Sequence, residues 1–278
     1  MPEGDSLHRL AHKLAPVLQG REVIAFTARR LTNDAARSLV GRRIVSVTAK
    51  GKNLLVRFDD DRVIHIHLRM EGRVFIERPR STFWTPERTE PDMRLVVAGA
   101  TVVGRRLPVL RLLTANQVER APDLAGLGPD LVRDDWNEDE ALRRVRALEG
   151  REIGAALLVQ RAAAGIGNVY KSEVLFLEGI DPRTLVSTIA DDELRALLRR
   201  ASTLLRKNLG SGPRVTRPSL AGPRLWVYGR AGRPCLRCGA TVKMFVQPPT
   251  PAPSAGAGRS TYYCPRCQPS RARDEVRA

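Results

Sequence analysis

Residues 235–267 read CLRCGATVKMFVQPPTPAPSAGAGRSTYYCPRC, and this stretch decides how the C-terminal part of the chain is built. Cys235 and Cys238 form one CxxC pair, Cys264 and Cys267 a second, and the sequence has no other cysteine. Two such knuckles bring four thiolates to a tetrahedron, the arrangement that structural Zn²⁺ prefers. Four protein ligands leave no open coordination position, so one structural zinc ion is expected here and not a catalytic one. Clustering of every cysteine at one end of a chain that reads as cytosolic argues against disulfides. The 25 residues between Cys238 and Cys264 exceed what a ribbon needs. The segment QPPTPAPSAGAG at 247–258 explains the excess, as a low-complexity insertion that cannot bury a core.

Upstream of this ribbon the periodicity is helical. Apolar residues recur at helix spacing over Glu138–Leu148, Glu152–Arg161, Val169–Glu178 and Asp191–Asn208, and Gly210–Pro223 reads as loop. The first hundred residues differ. Residues 5–20 predict one amphipathic helix, with Leu7, Leu10, Ala11, Leu14, Val17 and Leu18 on one face, Asp5 or Ser6 as its cap and Gly20 as its end. Short apolar or alternating runs follow at Val23–Phe26, Ile44–Val47, Leu54–Phe58, Val63–Leu68, Val74–Ile76 and Leu95–Val97, separated by turns such as Asp59-Asp60-Asp61. The expected class is α+β and multidomain. It comprises an N-terminal antiparallel β-sandwich with a flanking helix (1–115), a linker (116–134), a helical domain (135–224), the zinc ribbon (225–268) and a disordered tail (269–278).

The bulk numbers restrict the partner. With 47 basic and 30 acidic residues in 278, net charge is +17 and the pI is near 10.9. Such an excess self-repels unless a polyanion is near, so nucleic acid is the expected partner. No apolar run reaches the roughly 20 residues of a membrane span, and MPEGDSLHRL lacks the basic-then-apolar pattern of a signal peptide. A cytoplasmic, nucleoid-associated monomer without a small-molecule cofactor is expected.

The start of the chain carries chemistry of its own. Methionine is normally trimmed before a residue as small as Pro2, which would expose a secondary amine. Such an amine attacks an aldehyde-like carbon and forms an iminium, and its pKa near 8 leaves a useful neutral fraction. Glu3, beside it, is placed to give or take a proton.

MPEG at 1–4, GK at 51–52, HLRMEG at 67–72, GIGNVYKSE at 165–173, LWVYGR at 225–230 and the CxxC pair occur in this order. Together they resemble the formamidopyrimidine-DNA glycosylase/endonuclease VIII family, over nearly the whole chain. The resemblance implies a β-sandwich, a helix-two-turn-helix domain and a zinc ribbon, with damaged DNA in the cleft between the lobes. It implies that Pro2 is the nucleophile attacking the deoxyribose C1′ and Glu3 the acid that helps open the sugar. Lys52 then grips a phosphate beside the lesion, and Asn168 and Arg259 hold phosphates. Met70 is the wedge that fills the void left by the everted base, with further fillers expected within Arg105–Leu110. His67 touches phosphate or simply packs. Many members have Pro-Glu where this chain has Asp5-Ser6, and formamidopyrimidine enzymes usually carry a longer loop before LWVYGR. Both features favour the endonuclease VIII branch, most like its actinobacterial members. The implied activity is a bifunctional glycosylase and abasic-site lyase for oxidised bases, chiefly pyrimidines, working by β,δ-elimination in base excision repair. The alternative is a non-catalytic relative that binds damaged or abasic DNA.

Overall fold

In the computed structural model, which describes residues 1–77, 90–218, 221–248 and 258–270, the first helix, α1, spans Gly4–Leu18. It begins one residue earlier than its cap residues predict, because Glu3 itself is the extended N-cap residue and Ser6 sits at the third helical position. The Glu3 N–H donates to Ser6 Oγ at 3.4 Å, and the Ser6 hydroxyl donates to Asp5 Oδ1 at 3.1 Å. Ser6 therefore serves the helix start from inside the first turn. One face of α1 buries Leu7, Ala11, Leu14 and Leu18, the i, i+4, i+7, i+11 stripe that the sequence carries.

Two four-stranded antiparallel sheets share the core that α1 covers. The strands are β1 (Val23–Ala28), β2 (Ile44–Lys50), β3 (Asn53–Phe58), β4 (Arg62–His67), β5 (Arg73–Glu77), β6 (Met93–Val97), β7 (Ala100–Arg105) and β8 (Val109–Thr114), with a short helix α2 (Asn33–Arg37) after β1. One sheet has the order β1-β6-β7-β5 and the other β2-β3-β4-β8. Alternation is clear where one face is wet: in β6, Met93, Leu95 and Val97 are buried and the two residues between them are half-buried. Five of the six short runs read from the sequence fall within a strand, and the sixth, Val63–Leu68, runs one residue past the end of β4. Strands β7 and β8 carry arginines and partly exposed apolar residues through ATVVGR and VLRLLT, which blurs period two. Helix α3 (Ala115–Arg120) closes this unit on a capping box between Thr114 and Gln117.

The chain divides into two compact units, Met1–Gly126 and Leu127–Ala278. Residues 128–130 lead into the second as an extended segment, with Gly128 N donating to Gln160 O, Ala164 N to Pro129 O and Leu131 N to Ala164 O. Gly128 lies so close to Ala162 that a Cβ would stand 2.4 Å from its carbonyl oxygen. The second unit holds helices α4 (Glu138–Arg146), α5 (Ile153–Ala156), α6 (Asn168–Leu177) and α7 (Asp191–Lys207), then the hairpin of β9 (Lys243–Gln247) and β10 (Arg259–Tyr263). Both α4 and α7 place acids in the first turn and bases in the last, matching the helix dipole.

The helix expected over Glu152–Arg161 is a correction: α5 stops at Ala156. The Gln160 side chain bonds Leu158 O, Ile166 O and the Gly165 N–H, offering the backbone an alternative to the helical ladder. The insertion 247–258 and the tail 269–278 fall largely outside the described residues. Among the described residues no helix is long and apolar enough to cross a membrane.

Candidate functional sites

In the N-terminal unit, the chain start and two hairpin turns carry the candidate chemistry. Pro2 is half-buried, whereas Glu3 and Asp5 are both fully buried in the first turn of α1. A helix N-terminus stabilises carboxylates through its orphan N–H groups and dipole. The sequence thus supplies two buried acids next to the prospective amine.

The β2–β3 turn presents Lys52. Gly51 adopts φ +56, and Asn53 closes the turn by donating from Nδ2 to Lys50 O at 3.1 Å. Asn53 Oδ1 pairs with His65 Nε2 at 2.8 Å; both residues are buried. Of the two lysines, Lys50 points its ammonium at Leu124 O, 3.2 Å away, and Lys52 is half-buried on the turn. His67 lies opposite Asn53 on β4. Its Nδ1 accepts the Arg69 N–H at 3.0 Å. Burial first, then the positive charges of Lys52 and Arg69, bring its pKa down to about 4. His67 is therefore a neutral ring whose other nitrogen carries the proton. Burial and the cation of Arg111 hold His65 at about 4 as well.

Met70 stands on the β4–β5 turn and is 51% exposed. Arg69 takes a left-handed φ of +47, and a Cβ on Gly72 would meet Leu68 O at 2.6 Å, so the tight turn requires glycine there. An exposed methionine at a turn is not a core residue. Within Arg105–Leu110, Leu107 and Leu110 are buried in the sandwich core. Arg106 lies 3.5 Å from Glu71 of the Met70 turn, with both side chains exposed.

In the C-terminal unit the candidate residues converge on α6. Asn168 is the first residue of this helix, and its N-cap is Gly167. Its amide is not used in capping: it turns to β10 and donates from Nδ2 to Ser260 O at 2.6 Å. Every α6 residue from Asn168 to Phe176 is buried. Buried polar groups need partners, and the partners are distant in sequence. The Glu173 carboxylate accepts the backbone N–H of Trp226, Val227 and Tyr228 at 2.7, 2.9 and 2.8 Å and the Thr216 hydroxyl. It thereby fixes the LWVYGR segment. Lys171 Nζ donates to Thr261 Oγ1 at 2.6 Å. Arg259 is exposed at the first position of β10.

The four cysteine sulfurs lie within 4.8 Å of one another, with Cys238–Cys264 at 3.5 Å and Cys235–Cys267 at 3.9 Å. Zinc–thiolate bonds of ~2.3 Å place sulfurs on a tetrahedron of edge ~3.8 Å, so the residues fit that ion. Backbone N–H groups already point at the sulfurs, as Arg237 N does at Cys235 Sγ. Gln268 closes the second knuckle: its Oε1 accepts the Cys264 N–H and its Nε2 donates to Ile180 O.

Sequence reasoning passed over Lys171, Glu173, Gln268 and the Asn53–His65 pair. The available signal was two charges inside the apolar run VYKSEVLFL.

Residues 1–106 match the formamidopyrimidine-DNA glycosylase N-terminal domain. Residues 127–218 match the formamidopyrimidine-DNA glycosylase H2TH domain and residues 232–269 the zinc finger found in FPG and IleRS. A probable endonuclease 8 2 of Streptomyces coelicolor is 40% identical over 96% of this chain and 94% of its own. The DNA-(apurinic or apyrimidinic site) lyase Nei2 of Mycolicibacterium smegmatis is 35% identical over 96% and 99%. Among solved structures, Lactococcus lactis Fpg in complex with DNA containing an abasic site is 25% identical, with a TM-score of 0.77 over 96% of this chain and 100% of that one. The fold, the ordered motifs and the match along almost the full length place this chain in the formamidopyrimidine-DNA glycosylase/endonuclease VIII family, on its actinobacterial endonuclease VIII branch.

Proposed function

We propose that this protein is a DNA glycosylase and abasic-site lyase of base excision repair, acting through the secondary amine of Pro2 once Met1 is removed. The Pro2 nitrogen forms a bond to C1′ of the damaged nucleotide as the bond from C1′ to the base breaks, and the departing base takes a proton. Opening of the sugar ring leaves an iminium between Pro2 and C1′. Loss of the C2′ proton then expels the 3′ phosphate, and a second elimination expels the 5′ phosphate, leaving a one-nucleotide gap. Glu3 serves as the proton carrier for ring opening. The observation that carries this reading is the fully buried Glu3 carboxylate, adjacent to Pro2 at the start of α1.

The remaining roles follow in the same proposal. Lys52, Asn168 and Arg259 bind phosphates, Met70 fills the void left by base eversion, and His67 is a neutral donor at the phosphate. Zinc, held by Cys235, Cys238, Cys264 and Cys267, stabilises the ribbon and takes no part in the chemistry. The functional division runs as 1–115 for catalysis, 135–224 for helix-two-turn-helix DNA binding and 225–268 for the ribbon. The protein works as a cytoplasmic monomer on the nucleoid. Oxidised pyrimidines are its preferred lesions, because a short loop before LWVYGR lacks a cap for a purine edge.

One panel tests this: Glu3→Gln and an N-terminally extended form, each assayed for excision on a thymine glycol duplex and for nicking of an abasic duplex. Glu3→Gln should lose excision by about 10²-fold, the usual worth of a general acid, and keep much of its abasic nicking, since an amine condenses readily with an aldehyde. Extension should abolish both activities and borohydride trapping. An extended protein that keeps full activity would rule out Pro2 as the nucleophile. Binding of abasic duplex without trapping or nicking by the unaltered protein would instead mark a non-catalytic relative.

A further inference from the structure

Lys171 sits mid-helix on α6 with no exposed surface. Lysine is almost never fully buried unless paired, and an apolar side chain of the same length would fill this space at no electrostatic cost. What the ammonium adds is direction. Its Nζ donates to Thr261 Oγ1, itself fully buried, at 2.6 Å. Having accepted there, the hydroxyl has one proton to give, and two acceptors await it: Gln247 Oε1 at 3.0 Å and Arg259 O at 3.3 Å. The Gln247 amide continues the chain, donating from Nε2 to Glu152 Oε2 at 3.0 Å and towards Pro182 O at 3.4 Å. A path of hydrogen bonds thus runs from a buried cation through a buried hydroxyl and amide to the half-buried carboxylate of Glu152.

This path is flanked on both sides. Asn168 holds Ser260 O, and the Tyr262 N–H donates to Ser172 Oγ at 3.3 Å. Three consecutive residues of β10 are therefore held by three residues on one face of α6. Gly154 keeps the path open, since a Cβ there would stand 2.4 Å from Gln247 Oε1. Arg259 and Gln247 are direct partners in the β9–β10 hairpin, so the Thr261 hydroxyl touches the backbone of one and the side chain of the other.

We propose that Lys171 is a positioning residue for the phosphate grip. Through the Thr261 hydroxyl it fixes Gln247, the direct strand partner of Arg259, and so sets the spacing between the Arg259 guanidinium and Asn168 at the start of α6. This rests on the reading of Arg259 and Asn168 as phosphate ligands. Lys171, having no exposed surface, contacts no DNA itself.

The test uses the full-length, zinc-loaded protein and a duplex carrying a tetrahydrofuran abasic analogue, with Kd measured from 50 to 200 mM salt. Arg259→Ala should raise Kd about tenfold and lower the log–log salt slope by about one unit, the signature of one lost phosphate contact. Lys171→Met should reproduce most of both changes with zinc content unaltered. The double variant should bind no more than about twofold worse than the weaker single, because both changes remove the same contact. Thr261→Val should behave like Lys171→Met, and Thr261→Ser, which keeps the hydroxyl, should restore binding. If Lys171→Met does not fold, Thr261→Val combined with Arg259→Ala supplies the same cycle. Multiplying effects in the double variant, or an unaltered slope in Lys171→Met and Thr261→Val, would overturn the proposal while leaving Arg259 on its phosphate. An Arg259→Ala protein with unchanged Kd and slope would overturn the phosphate reading and this inference with it.

Discussion

The two units of this protein hold their candidate residues in place by different means. In the N-terminal unit the interior is apolar. Leu54, Phe58, Ile64, Ile66 and their neighbours fill it, and Glu3, Asp5, His8, Asn53 and His65 are the buried polar residues among those described. The candidate groups Pro2, Lys52 and Met70 sit at its margins, on a helix start and two turns. In the C-terminal unit Asn168, Lys171, Ser172, Glu173, Gln247 and Thr261 are all buried, most of them bonded to residues 43 to 95 positions away. Apolar burial is strong but non-directional; a satisfied polar network specifies one arrangement and penalises all others. The sandwich therefore gives the proposed chemistry a stable support, and the helical unit gives the residues proposed to bind phosphate a fixed register.

Metal removal puts the largest load on this contrast. Cys264→Ser, or exhaustive chelation, should release the ion and disorder the β9–β10 hairpin. DNA affinity should fall by 10²-fold or more, because Arg259 and the partners of Asn168 and Lys171 lie on that hairpin. The thermal transition of the N-terminal unit should not move. A purified native protein with no metal by elemental analysis, or a Cys264→Ser variant of normal affinity, would contradict the contrast directly.

A smaller effect is expected at Glu173. Glu173→Gln keeps the shape but brings a donor against three N–H groups. Losing charge-assisted bonds, each worth about 1.5–3 kcal/mol, should destabilise the C-terminal unit by about 4 kcal/mol, seen as an earlier denaturant midpoint. By comparison, Ile66→Val in the sandwich should cost about 1 kcal/mol. Equal costs at the two sites would remove the distinction between the units.

The smallest effect is a pH dependence confined to the N-terminal unit. His65 and His67 titrate near 4 in the folded protein, below the ordinary value of ~6.5. Between those values the unfolded chain binds more protons than the folded one, so stability is full above about 6.5 and falls as the pH drops towards 4. For the fully buried His65 the loss is at most about 3 kcal/mol. His65→Gln should flatten the slope of melting temperature against pH over that window. A wild-type unit whose melting temperature is level from pH 7 to 4 would show that these rings are not held neutral.

The contrast also explains what was legible in the chain itself. Alternating strands, the α1 stripe and the paired cysteines are local patterns, and each points to its element directly. Lys171 and Glu173 look like the solvated face of a helix, since a charge at that spacing is ordinarily exposed. Their burial depends on residues 216–228 and 261, which no local window contains. The N-cap position of Glu3 was hidden for a different reason: Asp5 and Ser6 are the better cap residues by type, but backbone geometry put the cap at Glu3 and turned Ser6 back towards it. Gln268 was read as the last residue of the ribbon, with nothing local to name its partner, and it spans 88 residues to Ile180.

Those long spans bear on how the protein is made. Ribosomes add about 5–20 residues per second. The strands and helix of the first 126 residues can complete their own core while the rest is still being synthesised. Helix α6 cannot. When Lys171 leaves the exit tunnel, Thr261 is 90 residues from leaving it, an interval of roughly 5–20 s. Through that time the cation destined for the interior must remain hydrated, so that face of α6 stays open until β10 and the last knuckle emerge. Synthesis order thus makes the ribbon the final step in folding the helical unit, and a nascent chain starved of zinc would stall with its N-terminal unit already formed.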